Sequence, residues 1–531
     1  MKFLFFLVEG VWKRFLLVVT LSAVAGGLYT LSIRYLHLLI NDSTDWKTNL
    51  AIVVTSVLVS SVIAVWSSYF LTNLYEQRIA SLRVKLCQQI ISAKFEKVER
   101  NQDRIIPVLQ NDINSMTAFT KSIGDMLVAI FKIVAIIGYL FYLSWSFGLF
   151  IVAVFTLILI VNTLFLRPIY QTNQVIKKTR NEVHRQLDGL VRGIKELSLS
   201  VSHHSLYVNE NIGAGSMLYG RLMTRINTIN VFLMKLSELI AVVTIAVLVI
   251  YLHHQGNLVV NDFFESITLV IFLLPSLIVA TVFLRNLKKF KVSLEQIEGL
   301  GLEFRETKPL PYNQLEITEN SQEALIELKE LVYQYDSHGY QLGPVDLKLE
   351  RGQIVLIRGG NGSGKTTLAK VLTGLYEPEK GSLLFQGKPV TKEDLAGYRD
   401  LFSAVFADSF VFQNLRYLAD KVRAQDIVEA AKLLEIADKL DIEKLFIQNV
   451  QLSMGQRGRI NLFRALLENK PVVLFDEWAA NQDPHFKEVF YSEIIPRLKN
   501  LGKTIILITH DEKYFHIADK VVEMSAGKIE N

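Results

Sequence analysis

The sequence predicts an all-α bundle of six membrane-crossing helices followed by an α/β domain built on a parallel sheet. Three observations predict it. The 531 residues are 50% hydrophobic and only 21% charged, with a mean hydropathy of +0.28, too apolar for a chain wholly in water. The long charge-poor runs fall before residue 285, and none comparable follows. Beyond that point, apolar β-branched runs end at glycine-rich or acidic turns, as buried parallel strands do.

A hydrocarbon layer of about 30 Å needs roughly 20 helical residues at about 1.5 Å each. Six runs meet that length, at 15–39, 50–71, 123–143, 147–166, 229–252 and 267–284. Lipid offers no partner for backbone N–H and C=O groups, so these runs must be helices. The opening stretch MKFLFFLVEGVWKRFLLVV imitates a signal peptide, but its long apolar region and the spans that follow make it a retained segment.

Positive charge sets the orientation. The connection 73–122 carries Arg78, Arg83, Lys85, Lys94, Lys97, Arg100, Arg104 and Lys121, and 167–228 carries Lys177, Lys178, Arg180, Arg185, Arg192 and Lys195. The short connections near 41–49 and 253–262 offer just Lys47. By the positive-inside rule the long connections and both termini face the cytoplasm. These connections hold few helix breakers, so the spans should continue into the cytoplasm as helical arms. The single cysteine, Cys87, excludes a disulfide within the chain. A net charge of +5 is weak evidence for nucleic-acid binding unless the positive charge is concentrated in one place.

The chain divides into a transmembrane domain at 1–300, a linker at 301–319 that includes ETKPLPYNQ, and a soluble domain at 320–531. In the last, GQIVLIRGGNGSGKTTLAKVLTGL joins a strand pattern to a phosphate loop and a helix. Gly359, Gly360, Asn361, Gly362, Ser363 and Gly364 let successive N–H groups turn toward phosphates, and the following helix start adds positive potential. Lys365 should reach the outer phosphates, with Thr366 on magnesium and Thr367 beside it, so a phosphate-bearing nucleotide and Mg2+ are the implied ligands. PVVLFDE ends a buried strand in two carboxylates: Asp476 suits a magnesium ion and Glu477 suits the base that polarises the attacking water. KTIILITHD delivers His510 to a strand end, where it can sense the terminal phosphate.

LSMGQ at 452–456 resembles the LSGGQ signature of ATP-binding cassettes. The resemblance covers the soluble half, and six spans ahead of one cassette extend it to the family's exporter half-transporters. It implies that Ser453, Gly455 and Gln456 complete the ATP site of a second copy in a head-to-tail homodimer, that Tyr335 stacks on adenine, and that Asp483 lies in the loop crossing between copies. It also implies that short helices near 92–102 and 193–205 dock the arms onto cassettes. The chain departs from the family pattern in three places. Ala407, in VFAD, stands where a glutamine is usual, leaving Asp408 as the adjacent polar group; Trp478 replaces a proline; and AANQDP stands where S-A-L-D is common.

LFSAVFADSFVF and FDEWAANQDP resemble the branch of bacterial exporters that handle cyclic peptides, lipopeptides and peptide-siderophore precursors. The implied activity is ATP-driven export of a peptide-like molecule across the bacterial cytoplasmic membrane. A lipid or multidrug flippase shares this architecture, and so does a nucleotide-gated channel or regulator that does not pump. Charges inside spans are costly and tend to face a cavity, which makes Lys132 and Arg34 candidate cargo contacts. Lys132 could equally pair with Asp125, seven residues earlier, and Arg34 could snorkel from its span end.

Overall fold

The computed structural model describes residues 12–41, 45–143, 145–254, 260–301, 312–318, 323–335, 339–448 and 451–530. Residues 1–11 of the opening segment, 42–44 and 255–259 in the short connections, and 302–311 and 319 of the linker lie outside the described residues.

Among the described residues, six helices are long and apolar enough to cross a membrane. They are α1 (Trp12–Asn41), α2 (Trp46–Ser92), α3 (Ile113–Leu143), α4 (Trp145–Arg192), α5 (Ala214–His254) and α6 (Val260–Gly299). Each apolar run falls within one of them. α2 and α4 continue about 20 residues or more past their apolar stretches, α2 without proline or glycine and α4 through Pro168. Within the bundle, small hydroxyl residues link neighbours: Ser60 Oγ donates to Ala25 O at 2.8 Å, and Ser22 Oγ lies 3.2 Å from Ser67 Oγ. Phe119 of α3 stacks on Phe290 of α6 with ring centres 4.6 Å apart. Beyond the apolar stretches, Lys177 of α4 pairs with Asp112 and lies 3.1 Å from Ser293 Oγ, while Tyr170 donates to Glu295 at 2.6 Å.

The chain forms two compact units, Met1–Ile91 with Arg100–Thr307, and Ser92–Glu99 with Lys308–Asn531. The division is therefore not sequential: an eight-residue stretch at the end of α2 belongs with the second unit, whereas the other expected docking stretch, 193–205, stays in the first. The described part of the expected linker is not a free tether. Tyr312 donates to Asp400 at 2.9 Å and Asn313 to Asp394 at 3.0 Å, because hydroxyl and amide groups there meet carboxylates of the second unit.

The second unit holds two larger sheets. β1 (Ile326–Gln334), β2 (Gln341–Leu349), β4 (Lys380–Phe385) and β5 (Lys388–Pro389) make an antiparallel sheet in the order β2-β1-β4-β5. The other has the order β12-β11-β3-β10-β9-β6 and uses β3 (Ile354–Gly359), β6 (Phe402–Val405), β9 (Val472–Asp476), β10 (Thr504–Ile508), β11 (Lys520–Ser525) and β12 (Lys528–Glu530). Its five strands from β11 to β6 are parallel. β9 and β10 are buried along their whole length, which is why they read as unbroken apolar runs. A short hairpin of β7 (Leu440–Asp441) and β8 (Phe446–Ile447) completes the strands. Helices α7 (Lys365–Leu372) and α8 (Met454–Glu468) each contribute buried apolar residues to a core of this unit.

Candidate functional site

In parallel sheets, ligands bind beyond the carboxyl ends of the strands. β3, β9 and β10 lie side by side, so the phosphate loop, Asp476–Glu477 and His510 all emerge from that edge. The loop needs glycine. Gly359 and Gly364 take φ of +152° and +103°, and a Cβ on Gly364 would lie 1.8 Å from the Tyr340 hydroxyl. That hydroxyl donates to Ser363 O at 2.9 Å and braces the loop from the β1–β2 connection. Gly360, Asn361 and Gly362 are exposed, while Ser363 and Lys365 are buried.

Lys365 Nζ curls back to donate to Gly359 O and Gly360 O, each at 3.0 Å, and lies 3.7 Å from Glu477 Oε1. The same Glu477 oxygen is 3.2 Å from His510 Nε2. Glu477 holds a left-handed backbone at φ +51°, its N–H bonded to Ile508 O at 2.9 Å. The turn thereby points a carboxylate away from the strand it ends. Asp476 is 1% exposed, and its Oδ1 has no hydrogen-bond partner. Burial raises its pKa above the ordinary carboxylate value; the Thr366 hydroxyl bonded to it and Lys365 oppose that rise, and the charges of Glu477 and Asp408 add to it. An orphaned, charge-strained carboxylate beside Thr366 fits a divalent cation. Thr366 is exposed and Thr367 half-buried in the first turn of α7.

The signature residues form a second group. Ser453 caps α8, its hydroxyl accepting from Gln456 N at 3.2 Å while the Gln456 side chain accepts from Ser453 N at 3.0 Å. Gln456 therefore shapes the helix start. Asp483 caps the helix Pro484–Val489 through Phe486 N at 2.9 Å and accepts from Arg459 at 2.7 Å. The hydrogen bonds found among described residues join this group to Trp478 and Gln482, not to the phosphate loop.

Tyr335 is half-buried and its hydroxyl lies 3.0 Å from that of Tyr376. Tyr376 in turn donates to Glu99 at 2.5 Å, and Lys370 of α7 meets the same carboxylate at 2.7 Å. Burial opposes ionisation of Glu99, but Lys370 and the two tyrosine hydroxyls outweigh it and hold its pKa below the usual value. The sequence carried no signal for this cluster, since its members lie 271 and 277 positions apart. Tyr340 was equally silent. In the membrane unit, Lys132 sits over the Tyr29 ring at 4.0 Å, with no ion pair to Asp125 among the described residues; Arg34 is exposed.

Comparison with known proteins places these features. An ABC transporter model matches residues 342–480, and an ABC transporter transmembrane region model matches 15–277. The chain is 32% identical over 466 residues to ATP-binding protein SyrD of Pseudomonas syringae pv. syringae, covering 84% of this chain and 81% of that protein. It is 24% identical over 515 residues to an ATP-dependent lipid A-core flippase of Burkholderia orbicola, covering 92% and 84%. The fold is similar to that of a bacterial Atm1-family ABC exporter with ATP bound, with a TM-score of 0.77 at 19% identity over 98% of this chain and 95% of that one. Six apolar helices with a matched transmembrane region make it a multi-pass inner-membrane protein. One membrane unit and one nucleotide unit per chain make it a half-transporter. The chain belongs to the ABC transporter family, with the exporter fold, and its cassette is the ATPase that drives transport across the membrane.

Proposed function

We propose that two copies of this chain pair head to tail and export a peptide-like molecule. The convergence of Lys365, Glu477 and His510 on one strand edge beside the orphaned Asp476 oxygen carries the reading. The N–H groups of 359–367 cradle the phosphates, and Lys365 leaves its loop carbonyls for the outer phosphate oxygens. Glu477 polarises the water that attacks the terminal phosphate, with ADP leaving, and His510, in hydrogen-bond reach of Glu477, orients it and contacts that terminal phosphate. Thr366 and Asp476 would hold Mg2+, which when bound would neutralise phosphate charge. Ser453 and Gly455 of the second copy close the site, with Gln456 holding the helix start that presents them and Asp483 holding the crossing loop. Tyr335 offers its ring to adenine. ATP binding then favours the closed pair, and hydrolysis removes the charge that held it, so the membrane helices alternate between two openings.

The membrane domain 1–300 and the cassette from 320 onward divide this work, with both termini cytoplasmic. The peptide-like cargo rests on the resemblance of the stretches 401–412 and 475–484 to the peptide-exporter branch. Lys132, shielded on one side by Tyr29, is the candidate cargo contact; exposed Arg34 is a weaker one. Lipid cargo is the second reading, favoured by the near full-length match to a lipid A-core flippase.

The test is ATP hydrolysis by the full chain in proteoliposomes across a panel of cyclic peptides, lipopeptides and lipids. Stimulation by peptides with ATP-dependent uphill uptake into inside-out vesicles supports the first reading. Stimulation by lipids alone supports the second, and downhill flux independent of hydrolysis would replace both with a channel.

A further inference from the structure

Two residues of the turn after β9 depart from the family pattern, and both bond to the signature helix. Trp478, 5% exposed, donates its indole N–H to Gly458 O at 2.8 Å. Gln482, 8% exposed, donates to Gly455 O at 3.0 Å and accepts from Arg459 Nε at 3.2 Å. Neither a proline at 478 nor a leucine at 482 could donate such a bond. The helix is bare on the face that receives them: a Cβ on Gly458 would lie 2.7 Å from Gln482 Nε2 and 3.3 Å from Trp478 Nε1. Trp478 is also fixed from behind, its ring 4.4 Å from that of Phe490. Arg459 closes the cluster by bonding Asp483 at 2.7 Å and lying 3.9 Å over the Phe486 ring.

Glu477 immediately precedes Trp478 and is held on its other side by Ile508 O and His510. A shift of the first two turns of α8 must therefore move Trp478, and the left-handed residue joined to it has little room to stay behind. We propose that Trp478 and Gln482 are positioning residues that bind the signature helix to the turn carrying Glu477, so that engagement of Ser453 and Gly455 on a nucleotide held by the partner copy aligns Glu477 in this copy's own site. The strap makes the two sites of the pair interdependent. It rests on the shared-site reading above and adds a connection that the usual family residues at 478 and 482 do not supply.

The experiment is the ATP dependence of hydrolysis by the full chain in lipid nanodiscs, for the wild type, Trp478→Phe and Gln482→Met. Phenylalanine keeps an aromatic ring in the Phe490 pocket and methionine keeps the side-chain length, but neither has an N–H. With two sites the Hill coefficient cannot exceed two, and independent sites give one. The wild type should lie well above one and each variant close to one, with a lower plateau and unchanged affinity for a fluorescent ATP analogue. Simple loss of folded protein scales the plateau and leaves the Hill coefficient untouched, so the shape of the curve separates the two effects. Should Trp478→Phe not fold, Gln482→Met decides alone. A cooperative wild type with equally cooperative variants overturns the strap and spares the shared sites. A wild-type coefficient of one overturns the strap alone, because sites shared between two copies need not be cooperative.

Discussion

In the proposed mechanism, Glu477 is the residue on which turnover depends most directly. Its carboxylate lies near Lys365 and His510, so replacing it by the amide leaves the phosphate cradle intact and removes the base. Glu477→Gln should lower kcat by about 100-fold or more while retaining ATP affinity, as measured by hydrolysis and nucleotide binding on one preparation. Asp476 behaves differently. Its charge is buried with one oxygen unpartnered, and burial raises its pKa, so the ionised form costs the nucleotide-free fold stability. Asp476→Asn should raise the melting temperature without nucleotide and abolish the further rise that Mg2+ and ATP give the wild type. Lys132, over Tyr29, gives the cargo test: Lys132→Met should reduce cargo-stimulated hydrolysis and export, and unchanged values for both would remove it from the cargo path.

At the scale of elements, the stretch 92–99 is held to the second unit through Glu99, Lys370 and Tyr376, with Lys94 meeting Glu377 at 2.6 Å. The Glu99 pKa is depressed in the fold, so its contribution is complete above the ordinary glutamate pKa and is lost as pH falls through the lower folded value. Amide-exchange protection of 92–99 should fall over that acidic window in the wild type. In Glu99→Gln it should be weak and flat across the same window. Within the membrane unit, Asp112→Ala would leave Lys177, 15% exposed, without its carboxylate, a loss of about 3–5 kcal/mol measurable as reduced thermal stability.

These elements also show what a reader of the sequence alone can see. The six helices are legible because lipid forces long apolar runs into one structure, and the phosphate loop because few residue patterns satisfy its backbone. The strand-end acids follow from an unbroken buried run meeting two charges. The docking of 92–99 is not legible at residue resolution, since Glu99 meets partners 271 and 277 positions away with no periodicity to announce them. Gln456 shows a subtler gap: the signature marks it as part of an ATP site, and its side chain closes a capping box that the same S-x-x-Q spacing also encodes.

For the whole molecule, the decisive proposition is that each working site is built from two copies. Lys365 lies in the phosphate loop of one and Ser453 at the signature helix of the other. Lys365→Ala disables the first contribution and Ser453→Arg the second, so neither homodimer should turn over ATP. A heterodimer of the two variants, isolated by separate tags on each chain, places both lesions in one site and leaves the other intact. Partial recovery of hydrolysis in that heterodimer is the result this account predicts, at a reduced plateau because the signature helix of the Ser453→Arg chain no longer helps to align Glu477 in the remaining site. Two silent parents that give a silent heterodimer would contradict it, because each site would then be complete within a single chain.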